Sequence, residues 1–265
     1  MIELTTAQWN LLLATYLYPF VRVMGYISAD PVLGNRSVPV RLKIGLALAI
    51  SVAIAPALPP LPPLEPASPI GLAILAQQML IGVAIGFAVR VIFAAVEMAG
   101  QVMGLQMGLG FATFFDPQTS AQVPVIGQYL GLMSVLVFLS INGHSLVLST
   151  LIESFRILPI GTLGFDSNGF AAYARWGAQI FLVGFTLALP VIATLLIANF
   201  GIGIISRAAP QMNIFAVGFP FILLVGFASI YLMIPYFLPI LDRLFIGGVE
   251  TLVLLLRSLA LVPPR

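Results

Sequence analysis

Residues 97–124 read Glu97-Met-Ala-Gly-Gln-Val-Met-Gly-Leu-Gln-Met-Gly-Leu-Gly-Phe-Ala-Thr-Phe-Phe-Asp-Pro-Gln-Thr-Ser-Ala-Gln-Val-Pro124, a pattern that begins as a helix and ends as a loop. Gly100, Gly104 and Gly108 recur every four residues, so they fall on one helical face and let another backbone approach closely. The phase extends backwards. At about 100° per residue, Gly82, Gly86, Arg90, Glu97, Gly100, Gln101, Gly104 and Gly108 project within one sector roughly 100° wide. Small and polar residues therefore share a stripe on an otherwise apolar helix, and a glycine-lined packing seam with no further role accounts for that stripe equally well. The loop carries Phe111, Phe114 and Phe115 and then the helix stop Asp116-Pro117. Bulky apolar side chains on a glycine-flanked loop point to something that fills a gap; ordinary packing under a loop is the competing reading.

The 265-residue chain is 60% hydrophobic and 8% charged, against about 25% charged in a soluble domain. That composition belongs to a membrane protein or to one buried in a complex. With no cysteine, disulfides, thiolate metal sites and cysteine nucleophiles are excluded. A net charge of +2, scattered along the chain, gives no basis for nucleic-acid binding. The opening Met-Ile-Glu-Leu-Thr-Thr lacks the basic n-region and cleavage site of a secretory signal, so the first apolar segment is expected to stay in the mature protein.

Leu11 to Ala29 is apolar, with Pro19 and Arg22 inside it. An arginine there is costly, so Arg22 is expected to face protein or an aqueous gap, unless it snorkels to one end. Arg36, Arg41 and Lys43 in and beside the next loop outweigh Asp30, which makes that loop the best cytoplasmic candidate and puts the N-terminus outside. Val40 to Leu58 is a second apolar segment, followed by a proline-rich spacer through Pro66. From Ile70 to Met107 no proline occurs, so one helix of about 38 residues would run about 57 Å. This is nearly twice the roughly 30 Å of bilayer hydrocarbon. Such a segment must bend at its glycines, double back, or project out of the bilayer against other protein.

Pro124 to Ile141 is a further apolar helix, closed by Asn142-Gly143 and followed by His144, the one histidine, which reads as a cap or a packed polar group. Ser145 to Leu158 is mixed, and Gly161 to Gly169 is a polar, glycine-rich loop. Ala171 to Ile205 is over-long and apolar, with a kink expected at Pro190. Arg207, Gln211 and Asn213 then lie in a tight connector edged by prolines, where their donors and acceptors are expected to lie against buried backbone. Phe221 to Ile240 is the sixth apolar segment, and Arg243 to Val262 reads as an amphipathic tail with Arg243, Glu250 and Arg257 on one face.

Together, Glu97-Met-Ala-Gly100-Gln101-Val-Met-Gly104-Leu-Gln106-Met107-Gly-Leu-Gly, then Asp116-Pro117, the Asn142-Gly143-His144 turn, and Ser206-Arg207-Ala-Ala-Pro210-Gln211-Met212-Asn213-Ile-Phe215-Ala-Val-Gly218-Phe-Pro220 resemble the FliR family. These are flagellar biosynthetic proteins with virulence-secretion relatives, and the likeness spans nearly the whole chain. The Asp116-Pro117-Gln-Thr form is closer to flagellar members. The resemblance implies an all-α integral membrane subunit of a type III export gate in the bacterial inner membrane, within the flagellar basal body. It implies long kinked helical hairpins, part of them above the bilayer plane. A half of about 1–170 like FliP-type subunits and a half of about 171–265 like FliQ-type subunits are expected, in a helical hetero-oligomer with both kinds of subunit. FlhB-type and FlhA-type export proteins are the implied neighbours, membrane lipid the surroundings, and unfolded exported proteins the cargo. The resemblance also makes 108–121 a plug, with Phe111, Phe114, Phe115, Asp116 and Pro117 at the gate. Gly100, Gly104 and Gly108 then serve helix packing, and Arg90, Glu97, Gln101, Arg207, Gln211 and Asn213 serve polar assembly contacts. No enzymatic activity, cofactor, metal or nucleic acid is implied.

A secondary transporter is the competing reading, with Arg22, Arg90, Glu97 and Asn199 along an ion path at broken helices. An intramembrane enzyme is weaker, because no zinc-binding or nucleophile-and-base pattern occurs.

Overall fold

The computed structural model describes residues 6–58, 65–111, 124–211 and 214–261, and all regular structure among them is helical. The helices are α1 (Thr6–Ala29), α2 (Val40–Ile54), α3 (Pro69–Gln106), α4 (Val125–Ser140), α5 (Gly143–Ile157), α6 (Ser167–Gly177), α7 (Gln179–Ala208) and α8 (Ile214–Leu259). By length and apolarity, five helical stretches are able to cross a membrane, or six if the bent pair α4 and α5 makes one span.

Local chemistry sets the ends. Asp30 stops α1: its Oδ1 accepts from the Val32 and Leu33 amides at 2.8 and 2.7 Å, turning the chain toward α2. Lys43 Nζ then donates to the Gly34 and Asn35 carbonyls, each at 2.9 Å, and fastens that turn. α2 runs out at Pro56, which sits in a short 3-10 turn, Ala55–Ala57. α3 keeps all 38 residues as one helix, as the absence of proline allows and against the alternative of a hairpin. Asn142, at φ 56°, makes a left-handed corner after α4, and α5 begins at the next residue.

α8 departs from the sequence expectation. An apolar helix followed by a separate amphipathic tail was predicted, yet one helix of 46 residues runs through Pro220, Pro235 and Pro239. All three prolines are on exposed positions, where a ring and a missing N–H disturb least packing. The predicted amphipathy is present within that helix. Arg243, Glu250 and Arg257 are exposed, while Leu241, Phe245, Leu252, Leu256 and Leu259 are buried. α7 carries Pro190 within it, where the Thr194 hydroxyl donates to the Pro190 carbonyl at 2.9 Å.

The chain forms two compact units interleaved in sequence: Met1–Val91 with Asn142–Gly177 and Ile246–Arg265, and Ile92–Ile141 with Ala178–Phe245. In the first, Ala14, Tyr18, Ile54, Ile74, Phe155 and Ile160 make an apolar core. The last turn of α8 closes it: the Asp166 amide donates to the Leu259 carbonyl at 3.1 Å, and a Cβ on Gly169 would stand 2.8 Å from the Ser258 carbonyl oxygen. In the second, Phe93, Phe138 and Phe245 form a triangle with ring centroids 4.9 to 5.3 Å apart, the edge and tilted geometry that aromatic quadrupoles prefer.

Candidate functional site: α3 and the residues that seat it

α3 meets other backbones at its glycines. In the first unit a Cβ on Gly25 would lie 2.6 Å from the Met79 carbonyl oxygen, and one on Gly86 would lie 2.7 Å from that of Tyr26. A Cβ on Gly82 would collide with the Arg22 carbonyl oxygen. α1 and α3 therefore touch main chain to main chain over about two turns, a contact that any side chain here would separate.

At that contact Arg22 is wholly buried. Its Nε donates to Gln78 Oε1 at 2.8 Å, Nη1 to Ser154 Oγ at 3.0 Å and Nη2 to the Leu158 carbonyl at 2.7 Å. The guanidinium carbon stands 4.0 Å above the centre of the Phe155 ring. Every hydrogen-bond partner is neutral. The compensation comes from an aromatic face and from the C-terminal end of α5, where unpaired carbonyls and the helix dipole carry partial negative charge. Arg22 thus faces protein, as one of its expected alternatives had it. Its fork ties α1, α3 and α5 together.

Near the end of α1, burial pushes the Asp30 carboxyl above the ordinary carboxylate range. The Leu33 amide, the Tyr26 hydroxyl, the Val32 amide and the Arg90 charge all oppose that rise by favouring the carboxylate.

In the second unit the seam passes to α4. A Cβ on Gly100 would lie 2.6 Å from Gly127 Cα and 2.8 Å from the Ile126 carbonyl oxygen. Gly131, one turn along α4, has Glu97 Cγ at 3.1 Å from where its Cβ would be, and Gly127 has Gln101 Cγ at 3.1 Å. Four residues of the predicted stripe are therefore brought together. Gly100 is the contact, while Gln101 lays its stem over Gly127, and Glu97 lays both its stem and its carboxyl over Gly131, Oε1 being 3.2 Å from the would-be Cβ. Gly104 is buried but roomier, its nearest neighbour being Ile126 Cγ1 at 3.7 Å. The α4 half of this seam, Gly127 and Gly131, was missed in the sequence. Its signal is present there as a Gly-x-x-x-Gly spacing.

α3 closes at Met107, whose amide donates to the Met103 carbonyl at 2.9 Å. Gly108, at φ 81°, leaves the helix in the left-handed conformation that glycine adopts most readily. It thus ends α3 and is not part of the packed helical face. A 3-10 turn, Leu109–Phe111, follows. Met103 and Met107 are buried, and Met107 lies against Gly226 of α8, where a Cβ would stand 2.6 Å from its Cγ. Phe114, Phe115, Asp116, Pro117 and Asn213 lie outside the described residues, as does the side chain of Phe111. Arg90, Arg207 and Gln211 are exposed, and so are Asn199 and His144. Among the described residues no group of three or more His, Cys, Asp or Glu gathers to hold a metal ion.

Apolar helices of spanning length, joined through glycine contacts and one buried guanidinium, define a polytopic helical membrane protein. The profile of the family described as "Bacterial export proteins, family 1" matches residues 13–247. The chain is 43% identical over 245 residues to the flagellar biosynthetic protein FliR of Escherichia coli K12, covering 92% of this chain and 94% of that one. It is 41% identical to FliR of Pectobacterium carotovorum, covering 91% and 93%, and 31% identical to FliR of Bacillus subtilis 168, covering 91% and 94%. The chain belongs to the FliR family of bacterial export proteins.

Proposed function

We propose that this chain is a subunit of the flagellar type III protein export gate, in the inner membrane at the basal body. With FliP-type and FliQ-type subunits it forms the pore for unfolded flagellar proteins, beside FlhB-type and FlhA-type export proteins, and 108–121 is the plug. The role is physical, with no covalent step and no cofactor. A closure that yields to a polypeptide but holds back ions must be apolar and deformable, a character that phenylalanine on a glycine-flanked segment and nearby methionines supply.

The observation that carries this reading is the seating of α3. A single 38-residue helix is clamped main chain to main chain near its end by Gly100 and Gly127, and it delivers the chain directly into 108–121. A helix held by backbone contact just before an apolar segment positions a seal. Arg22 adds support against the transporter reading, since it is enclosed by protein and its partners are structural. The test is the ion permeability of the gate assembled in proteoliposomes with residues 108–121 shortened. The proposal predicts a leak in a complex of normal composition; permeability equal to that of the natural complex removes the plug role.

A further inference from the structure

Met107 is the last residue of the chain before Gly108 turns away from α3, and its side chain is fully buried. What buries it is an absence on the opposite helix. A Cβ on Gly226 of α8 would stand 2.6 Å from Met107 Cγ, 2.7 Å from Cε and 2.9 Å from Sδ. Three atoms of the thioether chain touch one glycine, so the side chain lies lengthwise in a notch that only glycine leaves open. Gly226 is itself buried, and Met103, one turn earlier on α3, is buried as well.

We propose that Met107 in the Gly226 notch is a latch: a positioning residue that pins the exit point of α3 to α8 and so holds the export pore shut. The proposal rests on the plug reading above, which concerns 108–121, whereas the latch consists of Met107 and Gly226 alone.

The residue types fit a contact that must release and re-form. Methionine has three rotatable side-chain bonds and a polarisable sulfur, so it leaves a notch by rotamer change alone. Gly226 lies in mid-helix, at a position where glycine costs helix stability relative to alanine; the seat for Met107 is what it provides in return. The main chain at Met107 stays bonded to Met103 whichever rotamer the side chain takes, so unlatching does not require α3 to unwind.

The test uses the full chain assembled with FliP-type and FliQ-type subunits in proteoliposomes, reading potassium leak and subunit composition together. A 108–121-shortened complex serves as the open reference. Met107→Ala removes the latch without introducing a clash, and Gly226→Val fills the notch. Each is expected to raise leak by about tenfold while composition stays normal. Because the natural chain has no cysteine, Met107→Cys with Gly226→Cys supplies a clean lock. Oxidised, this pair is expected to remain tight and to block export, and reduction restores export.

If the shortened complex leaks while assembled Met107→Ala and Gly226→Val complexes stay tight, the latch is overturned and the plug stands. If the shortened complex itself is tight, the plug reading falls and the latch with it. A cysteine pair that does not cross-link, or that exports normally when oxidised, also overturns the latch.

Discussion

Arg22 carries a full charge inside protein, and a buried ion costs several kcal/mol unless its donors are met. Its fork meets acceptors at 2.8, 3.0 and 2.7 Å, a geometry that a guanidinium matches and an ammonium does not. Arg22→Ala would leave Gln78 Oε1 and the Leu158 carbonyl buried without a donor, so we expect a loss on the order of 3 kcal/mol. Arg22→Lys should recover only part of it, since one compact amine cannot span three separated acceptors. Thermal unfolding of the purified complex reads both, and an unshifted Arg22→Ala midpoint would contradict the clamp. The arginine itself was legible in the sequence, because a charge in an apolar segment demands enclosure by protein or access to water. Its partners were not. Gln78 and Ser154 lie 56 and 132 residues away, and no local periodicity names a contact at that range.

At the scale of elements, α3 was readable because its defining property, no proline between Ile70 and Met107, is local. α8 was not, because Pro220, Pro235 and Pro239 read as breaks, and only the folded chain reveals that each occupies an exposed position the helix tolerates. The glycine stripe was legible as a face but not as a ranking of contacts. Gly100 has main-chain atoms 2.6 to 2.8 Å from a would-be Cβ, whereas for Gly104 the nearest atoms among the described residues are Ile126 and Leu109 side chains at 3.7 to 3.8 Å. Gly100→Ala should therefore push α4 away and cost about 2 kcal/mol or more. Gly104→Ala should be near neutral, ordinary van der Waals contact being accompanied by a gain in helix propensity of up to about 1 kcal/mol. Equal melting temperatures for the two variants would show that the seam is not set by backbone approach at Gly100.

Across the whole molecule, burial is uneven in a way that composition alone does not disclose. The most apolar window of Pro69–Gln106 is 61% buried within the chain, whereas those of Ser167–Ala208 and Ala216–Leu259 are 28% and 22% buried. α3 is enclosed by its own chain, and α7 and α8 turn large apolar side chains outward, among them Ile197, Phe200 and Tyr231. Lipid covers such faces in an isolated polytopic protein; in the proposed gate, unlike subunits cover much of them. Among the described residues nothing lies within 4 Å of a would-be Cβ on Gly201 or Gly203 of α7, so no described packing requires them; in the proposed gate, the close approach of a partner helix would. The family was legible from the paired motifs around Gly100 and Arg207, yet the partner faces were not, since a single sequence does not distinguish a lipid-facing leucine from a subunit-facing one.

Native mass spectrometry of this chain co-expressed with FliP-type and FliQ-type subunits in mild detergent tests the central claim most directly. One copy of the chain within a larger hetero-oligomer is the predicted result. A stable monomer or homodimer that ignores both partners would contradict the export-gate account.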